Sequence, residues 1–180
     1  MLAALLVAGP LAGCGADAAM PGGAASLPGP PPAAVLLRPA PGGAPPAPPL
    51  RASLVDGTSL DAATLWSNRA VVLVFFASWC DTCARWQDGF STLARRYAGS
   101  VTFLGVAADD EPDRLHAYLR RHRVPYPVAL DQNRAVRRAY AVADPPAVVL
   151  IGRGGGLLRG WTGGIEPAAL DARLHQLVLP

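Results

Sequence analysis

Lysine is absent from this 180-residue chain, and all of its sixteen basic residues are arginine. The bias is read as that of a GC-rich coding sequence, since no single arginine-dependent site would need so many. Charge of either sign is scarce: 16% of residues are charged and the net charge is +3. So small a balance gives no footprint for a nucleic-acid partner. With 51% hydrophobic residues, the composition also excludes a highly charged disordered chain. Cysteine is sparse, at three residues. Structural zinc sites commonly take two Cys-x-x-Cys-like pairs, and only Cys80 and Cys83 make one here. His116, His122 and His175 fall in helical stretches without ligand spacing, so no metal is assigned and the three are read as surface positions. The clusters Arg120, Arg121, Arg123 and Arg134, Arg137, Arg138 are likewise read as solvated helix faces, with a docking patch as the alternative.

Prolines are present but uneven. They crowd the stretch from Pro21 to Pro49, where no packed element tolerates so many missing N–H donors. The reading is a flexible, partly polyproline-II tether over residues 14–49, with a folded domain over 50–180. The N-terminal apolar stretch is shorter than the about 20 residues of a membrane span and suits the apolar region of a secretory signal. It lacks the usual basic residues before that region. Leu11-Ala12-Gly13-Cys14 resembles a bacterial lipobox. The resemblance implies a signal peptide over 1–13 and lipid attachment at Cys14. Lipidation would also leave an even pair of cysteines, as expected of an exported chain.

Within the domain, Val71 to Phe76 is a continuous apolar and β-branched run that suits a strand buried on both faces. Trp86, Phe90, Leu93 and Tyr97 then recur at helical spacing, giving a helix from about Cys80 to Ala98 with Gly89 as a candidate kink. Val101 to Asp109 reads as a second buried strand. Pro112 and Pro167 open two further helices from the first-turn position. A short helix covers Arg134 to Tyr140. Ala147–Gly152 and Leu157–Gly163 form a hairpin. Alternating strands and helices, closed by a hairpin, imply an α/β fold with a mixed sheet.

"FASWCDTC", "GVAADD", "VPYPVALD" and "YAVADPPAVVLIG", in that order, resemble the thioredoxin-like proteins of the TlpA/ResA type. The similarity runs from about Leu54 to Leu177. It implies a three-layer α/β/α sandwich around a central mixed β-sheet and an exported thiol–disulfide oxidoreductase. It also implies a cis proline beside the active site, which falls by position on Pro146. Cys80, at the helix N-terminus, faces free N–H groups and the positive dipole end, which favour the thiolate. It is therefore expected to be the nucleophile, with Cys83, one turn inward, as the resolving thiol. Trp79, Asp81, Thr82, Pro145 and Pro146 are the expected supporting residues. Trp79 should cover the site. The Asp81 charge should oppose the Cys80 thiolate and favour the disulfide. Pro145 lacks the N–H with which relatives hold a substrate.

Relatives often carry an acid where this chain has Trp86 and a proline where it has Asp88; thioredoxins proper place a buried Asp at Val74. No acid thus stands in a usual place to take the proton of Cys83, and Asp88 is read as exposed. The expected activity needs no cofactor beyond the Cys80–Cys83 pair. Expected partners are disulfide-containing exported proteins, a membrane thiol donor and, through Cys14, the membrane itself. The chain is expected to act as a monomer on the extracytoplasmic side, where apocytochrome c maturation is the commonest association of such relatives. The alternatives are a copper-delivery lipoprotein on the same fold, whose cysteines are usually spaced three apart, and a protein-disulfide oxidase or isomerase. A peroxidase is disfavoured because thioredoxin-like peroxidases do not have Trp-Cys-x-x-Cys as their defining site.

Overall fold

The structure is a computed structural model that describes residues 19–33 and 35–180. The expected signal peptide and Cys14 lie outside the described residues.

Strand β3 (Ala70–Phe76) is buried along its whole length. Its side chains alternate between two cores: Val72, Val74 and Phe76 enter one, and Val71, Leu73 and Phe75 enter the other. A strand with two apolar faces must lie inside a sheet covered on both sides. The neighbours follow: β1 (Arg51–Leu54), β2 (Ser59–Asp61), β4 (Val101–Ala107), β5 (Val128–Leu130), β6 (Ala147–Ile151) and β7 (Leu157–Thr162). They form a seven-stranded sheet in the order β2-β1-β5-β4-β3-β6-β7. β3, β4 and β5 run parallel, and the remaining pairs are antiparallel.

Helices α2 (Asp81–Arg96), α3 (Pro112–Arg121) and α5 (Pro167–Leu177) cover one face. Cys83, Gln87, Phe90 and Ala94 form the buried stripe of α2, at the spacing of a helix face. On the other face, α1 (Ala63–Trp66) and α4 (Ala135–Ala139) supply Leu65, Trp66 and Val136 to the second core. The expected three-layer sandwich with a mixed sheet is therefore present.

Two local readings change. Gly89, marked as a kink, lies in an unbroken α2. A Cβ there would come within 2.5 Å of Cγ of Pro167, so the glycine admits the start of α5 against α2. "VPYPVALD", read only as an extended connection, contains β5.

The proline-rich segment also differs from a free tether. From Met20 onward it lies against the domain. Gly22 accepts from Val128 N at 2.7 Å, and Gly29 accepts from the buried guanidinium of Arg69 at 2.7 Å. Leu37 enters the first core, and Arg38 donates to the carbonyls of Val178 and Leu179. Pro46 bridges to Gly156, and Tyr140 donates to the Pro48 carbonyl. The physical reason is that missing N–H donors bar proline from a ladder but not from a surface. The proline carbonyls still accept, and the rings cover apolar side chains. Many of these contacts fall on Arg69 and the Gly152–Leu157 turn, at the end where β3 begins.

Candidate active site

β3 ends at Phe76, and four residues later Cys80 caps the N-terminus of α2. Cys80 and Cys83 are joined in a disulfide with their Cα atoms 5.2 Å apart. Cys83 N–H donates to Cys80 Sγ at 3.1 Å, so the outer sulfur occupies the place of an N-cap acceptor. Both residues are buried, Cys80 at 7% exposure and Cys83 at 3%.

The loop before Cys80 is fixed from β4. Ser78 donates its N–H to both carboxylate oxygens of Asp110, at 2.9 and 3.1 Å, and its hydroxyl to the same carboxylate. Trp79 Nε1 donates to the Asp109 carbonyl at 3.3 Å, while 54% of the residue stays exposed. The indole is thus held at the rim of the site. Ser78, Trp79 and Asp81 line a groove of about 390 Å³, closed on the far side by Arg114, Tyr118, Arg121 and His122 of α3 and its C-cap. The Thr82 hydroxyl accepts from Arg85 at 2.7 Å.

On the other side of β3, the register sets Phe75 opposite Ala147, so Pro146 stands at the same end of the sheet as the disulfide loop. The Pro145–Pro146 bond is cis. Gly164, with φ +80°, fits beneath both Trp86 and Pro146: a Cβ there would lie 2.7 Å from the Trp86 ring and 3.1 Å from Pro146. Gly164 therefore lies between the Trp86 indole and the Pro146 ring. Asp88 points to solvent, 79% exposed.

Behind Cys83, one helical turn along α2, Gln87 is buried. It donates to Tyr126 OH at 2.6 Å and to Ser91 Oγ at 3.2 Å, and accepts from Tyr118 OH at 3.4 Å. Burial pushes both tyrosine hydroxyls well above their ordinary pKa, so they stay protonated donors.

Two residues read as solvated are not. The His122 side chain is only 10% exposed; it bonds Asp88 at 2.9 Å and packs on Tyr118 with ring centroids 4.5 Å apart. Arg137, from the second arginine cluster, is 8% exposed at its side chain and contacts Asp109, Asp144 and the Ala143 carbonyl. Composition marks such helices as polar, but partners tens of residues away decide which polar groups go inside. Ser78 and Asp110, 32 residues apart, escaped the sequence reading for the same reason. The only signal was the carboxylate at the end of a buried strand. Among the described residues, no group of three or more His, Cys, Asp or Glu is arranged to hold a metal ion.

A mixed sheet between two helical layers, with Cys-x-x-Cys opening a helix and a cis proline opening the facing strand, defines the thioredoxin-like fold. The AhpC/TSA family matches residues 44–168, and the chain belongs to that family. Over 112 residues it is 27% identical to the thiol-disulfide oxidoreductase ResA of Bacillus subtilis (strain 168), a match covering 60% of either protein. It thus spans less than two thirds of that relative. Among solved structures it is similar to a thiol:disulfide interchange protein of Chlorobium tepidum TLS, with TM-score 0.68 and 23% identity over 77% of this chain and 99% of that one. A secreted Mycobacterium tuberculosis disulfide oxidoreductase homologous to E. coli DsbE gives TM-score 0.64 and 21% identity over 71% and 96%. At these identities the solved structures speak for the fold.

Proposed function

We propose that this chain is an extracytoplasmic thiol–disulfide oxidoreductase that reduces disulfides in exported proteins. One observation carries the reading: the Cys80–Cys83 disulfide sits at the N-terminus of α2, with an amide N–H directed at the outer sulfur. Only a thiolate attacks a disulfide, and this position favours the thiolate. Similarity to ResA supports the same chemistry.

In the reduced protein the Cys80 thiolate attacks one client sulfur. The client S–S bond breaks, and its second sulfur leaves as a thiolate that takes a proton from water. The Cys83 thiol, giving its proton to solvent, then attacks Cys80 Sγ and expels the first client sulfur. The client gains two electrons and the Cys80–Cys83 disulfide is restored. A thiol donor at the membrane returns two electrons to the protein. Trp79, Asp81, Thr82, Pro145 and Pro146 flank the client, and the reaction needs no further cofactor. Cys14 carries a lipid that keeps a monomeric domain at the outer surface of a bacterial membrane. Apocytochrome c is one client class consistent with the reading.

The test is trapping. Cys83→Ala should accumulate mixed disulfides with client proteins, resolved by diagonal electrophoresis, and Cys80→Ala should accumulate none. Equal trapping by both variants would overturn the assignment. Cys14→Ser should release the protein from membrane fractions or leave it unprocessed; unchanged membrane retention with normal processing would contradict lipidation.

A further inference from the structure

In the sheet, β3 lies between β4 and β6. The disulfide loop leaves the end of β3; the Asp109–Asp110 loop leaves the same end of β4; the Pro145–Pro146 turn enters β6 there. One side chain reaches both outer loops. Arg137 Nη1 lies 3.1 Å from Asp109 Oδ2. Its Nη2 donates to the Ala143 carbonyl and stands 3.6 Å from Asp144 Oδ1.

Both ends of this bridge matter. Asp109 has φ 60°, a left-handed conformation that is uncommon for residues with a side chain though best tolerated by Asp and Asn. Arg137 and Arg134, the latter at 3.0 Å, hold its carboxylate. In that conformation its carbonyl receives the Trp79 indole, and the next residue, Asp110, receives Ser78. Ala143 and Asp144 lead directly into Pro145 and Pro146. Arg137 is itself placed by Asp131, a buried carboxylate that accepts from the N–H groups of Val136 and Arg137 at 2.9 and 2.8 Å. A guanidinium can do this where an ammonium cannot, because its planar fork sends parallel donors to two acceptors.

We propose that Arg137 is a positioning residue that fixes the two loops flanking the disulfide, the Trp79 loop and the Pro145–Pro146 turn, at one separation across β3. It touches neither sulfur. Its effect therefore falls on the docking of a polypeptide, and not on exchange at the disulfide. This rests on the oxidoreductase reading, and the test separates the two.

Arg137→Met and Arg137→Lys are compared with the natural chain, using insulin as the polypeptide disulfide in steady-state turnover with dithiothreitol as electron donor, and dithiobis(nitrobenzoate) as the small one in single-turnover exchange with the pre-reduced protein. For Arg137→Met, KM for insulin should rise about tenfold with kcat held within about threefold, and the rate with the small disulfide should change less than twofold. Arg137→Lys should recover part of the KM. The Trp79 indole N–H resonance, assigned through Trp79→Phe, should lose its protection from solvent exchange in Arg137→Met. An equal fall with both disulfides, or an unmoved KM, would overturn the proposal; so would an unchanged indole signal. If the natural chain exchanges with neither disulfide, the oxidoreductase reading fails, and the indole signal still decides the role of Arg137. If Arg137→Met does not fold, Asp144→Ala replaces it. That residue's side chain is 88% exposed, and its removal should raise KM for insulin two- to threefold, with no rise counting against the bridge.

Discussion

Asp56 joins segments that are 32 residues apart in the chain. Its carboxylate accepts from Ala24 N at 2.6 Å and from Thr58 N at 3.0 Å. These N–H groups, Ala24 first, hold its pKa below the ordinary carboxylate value. A depressed pKa stabilises the folded state above the unfolded value of about 3.9. That stability is lost as pH falls through the lower folded value. Asp56→Asn should therefore lower stability near pH 7, converge on the natural chain in acid and so flatten the limb of the stability–pH curve below about pH 4; an unchanged limb would contradict the contact. Asp110 makes a harsher case. Asp110→Ala leaves the Ser78 N–H without its acceptor in a partly buried loop, and denaturant unfolding should show a loss of roughly 1–3 kcal/mol. Neither partnership was legible in the sequence. Each acid reads locally as a turn or strand-end residue, and its acceptor role is set by a chain segment brought in by folding. Cys80 and Cys83 were legible because their chemistry depends on local spacing, two sulfurs one turn apart at a helix start.

The elements divide along the same line. α3 and α5 begin at Pro112 and Pro167, as the fixed proline φ at a first helical turn dictates, and β3 is the apolar run itself. β5 was missed because its three residues, preceded by two prolines, carry no periodicity of their own; pairing with β4 and β1 makes the strand. Gly89 was seen but its role was not, since a glycine inside a helix reads as a weakness until the neighbour is known. Here two effects compete. Alanine is a better helix former by about 1 kcal/mol. Its Cβ, however, would lie 2.5 Å from a Pro167 ring carbon, which has no flexible end to swing away. Overpacking of this kind costs about 1–3 kcal/mol, so it outweighs the propensity gain. Gly89→Ala should lower the denaturation midpoint, and a raised midpoint would show that α5 yields without cost.

On the scale of the whole molecule, much of the proline-rich segment fastens on Arg69 and the Gly152–Leu157 turn, at the end where β3 begins. Leu37→Ala should cost about 2 kcal/mol, the low end for a buried leucine because Leu37 keeps a little exposure. Removing residues 1–49 should cost more. It would strip Leu37 from the core and take from Arg69 the Gly29 carbonyl, its one hydrogen-bond acceptor among the described residues. The shortened chain should melt at a lower temperature yet still exchange thiols, because among the described residues none of the segment's hydrogen bonds falls on Cys80 or Cys83. A shortened chain that is folded but inert would show that the segment does more than brace the domain. The central claim is that Cys80 and Cys83 form a working pair and not a staple. Its most direct measurement is the reduction potential of that pair, equilibrated against glutathione or dithiothreitol buffers. Exchange-active pairs range from about −120 to −270 mV, whereas structural disulfides of secreted proteins fall below about −300 mV. The account predicts reversible titration within the first range, toward its reducing end. A pair that resists reduction beyond about −300 mV would contradict it.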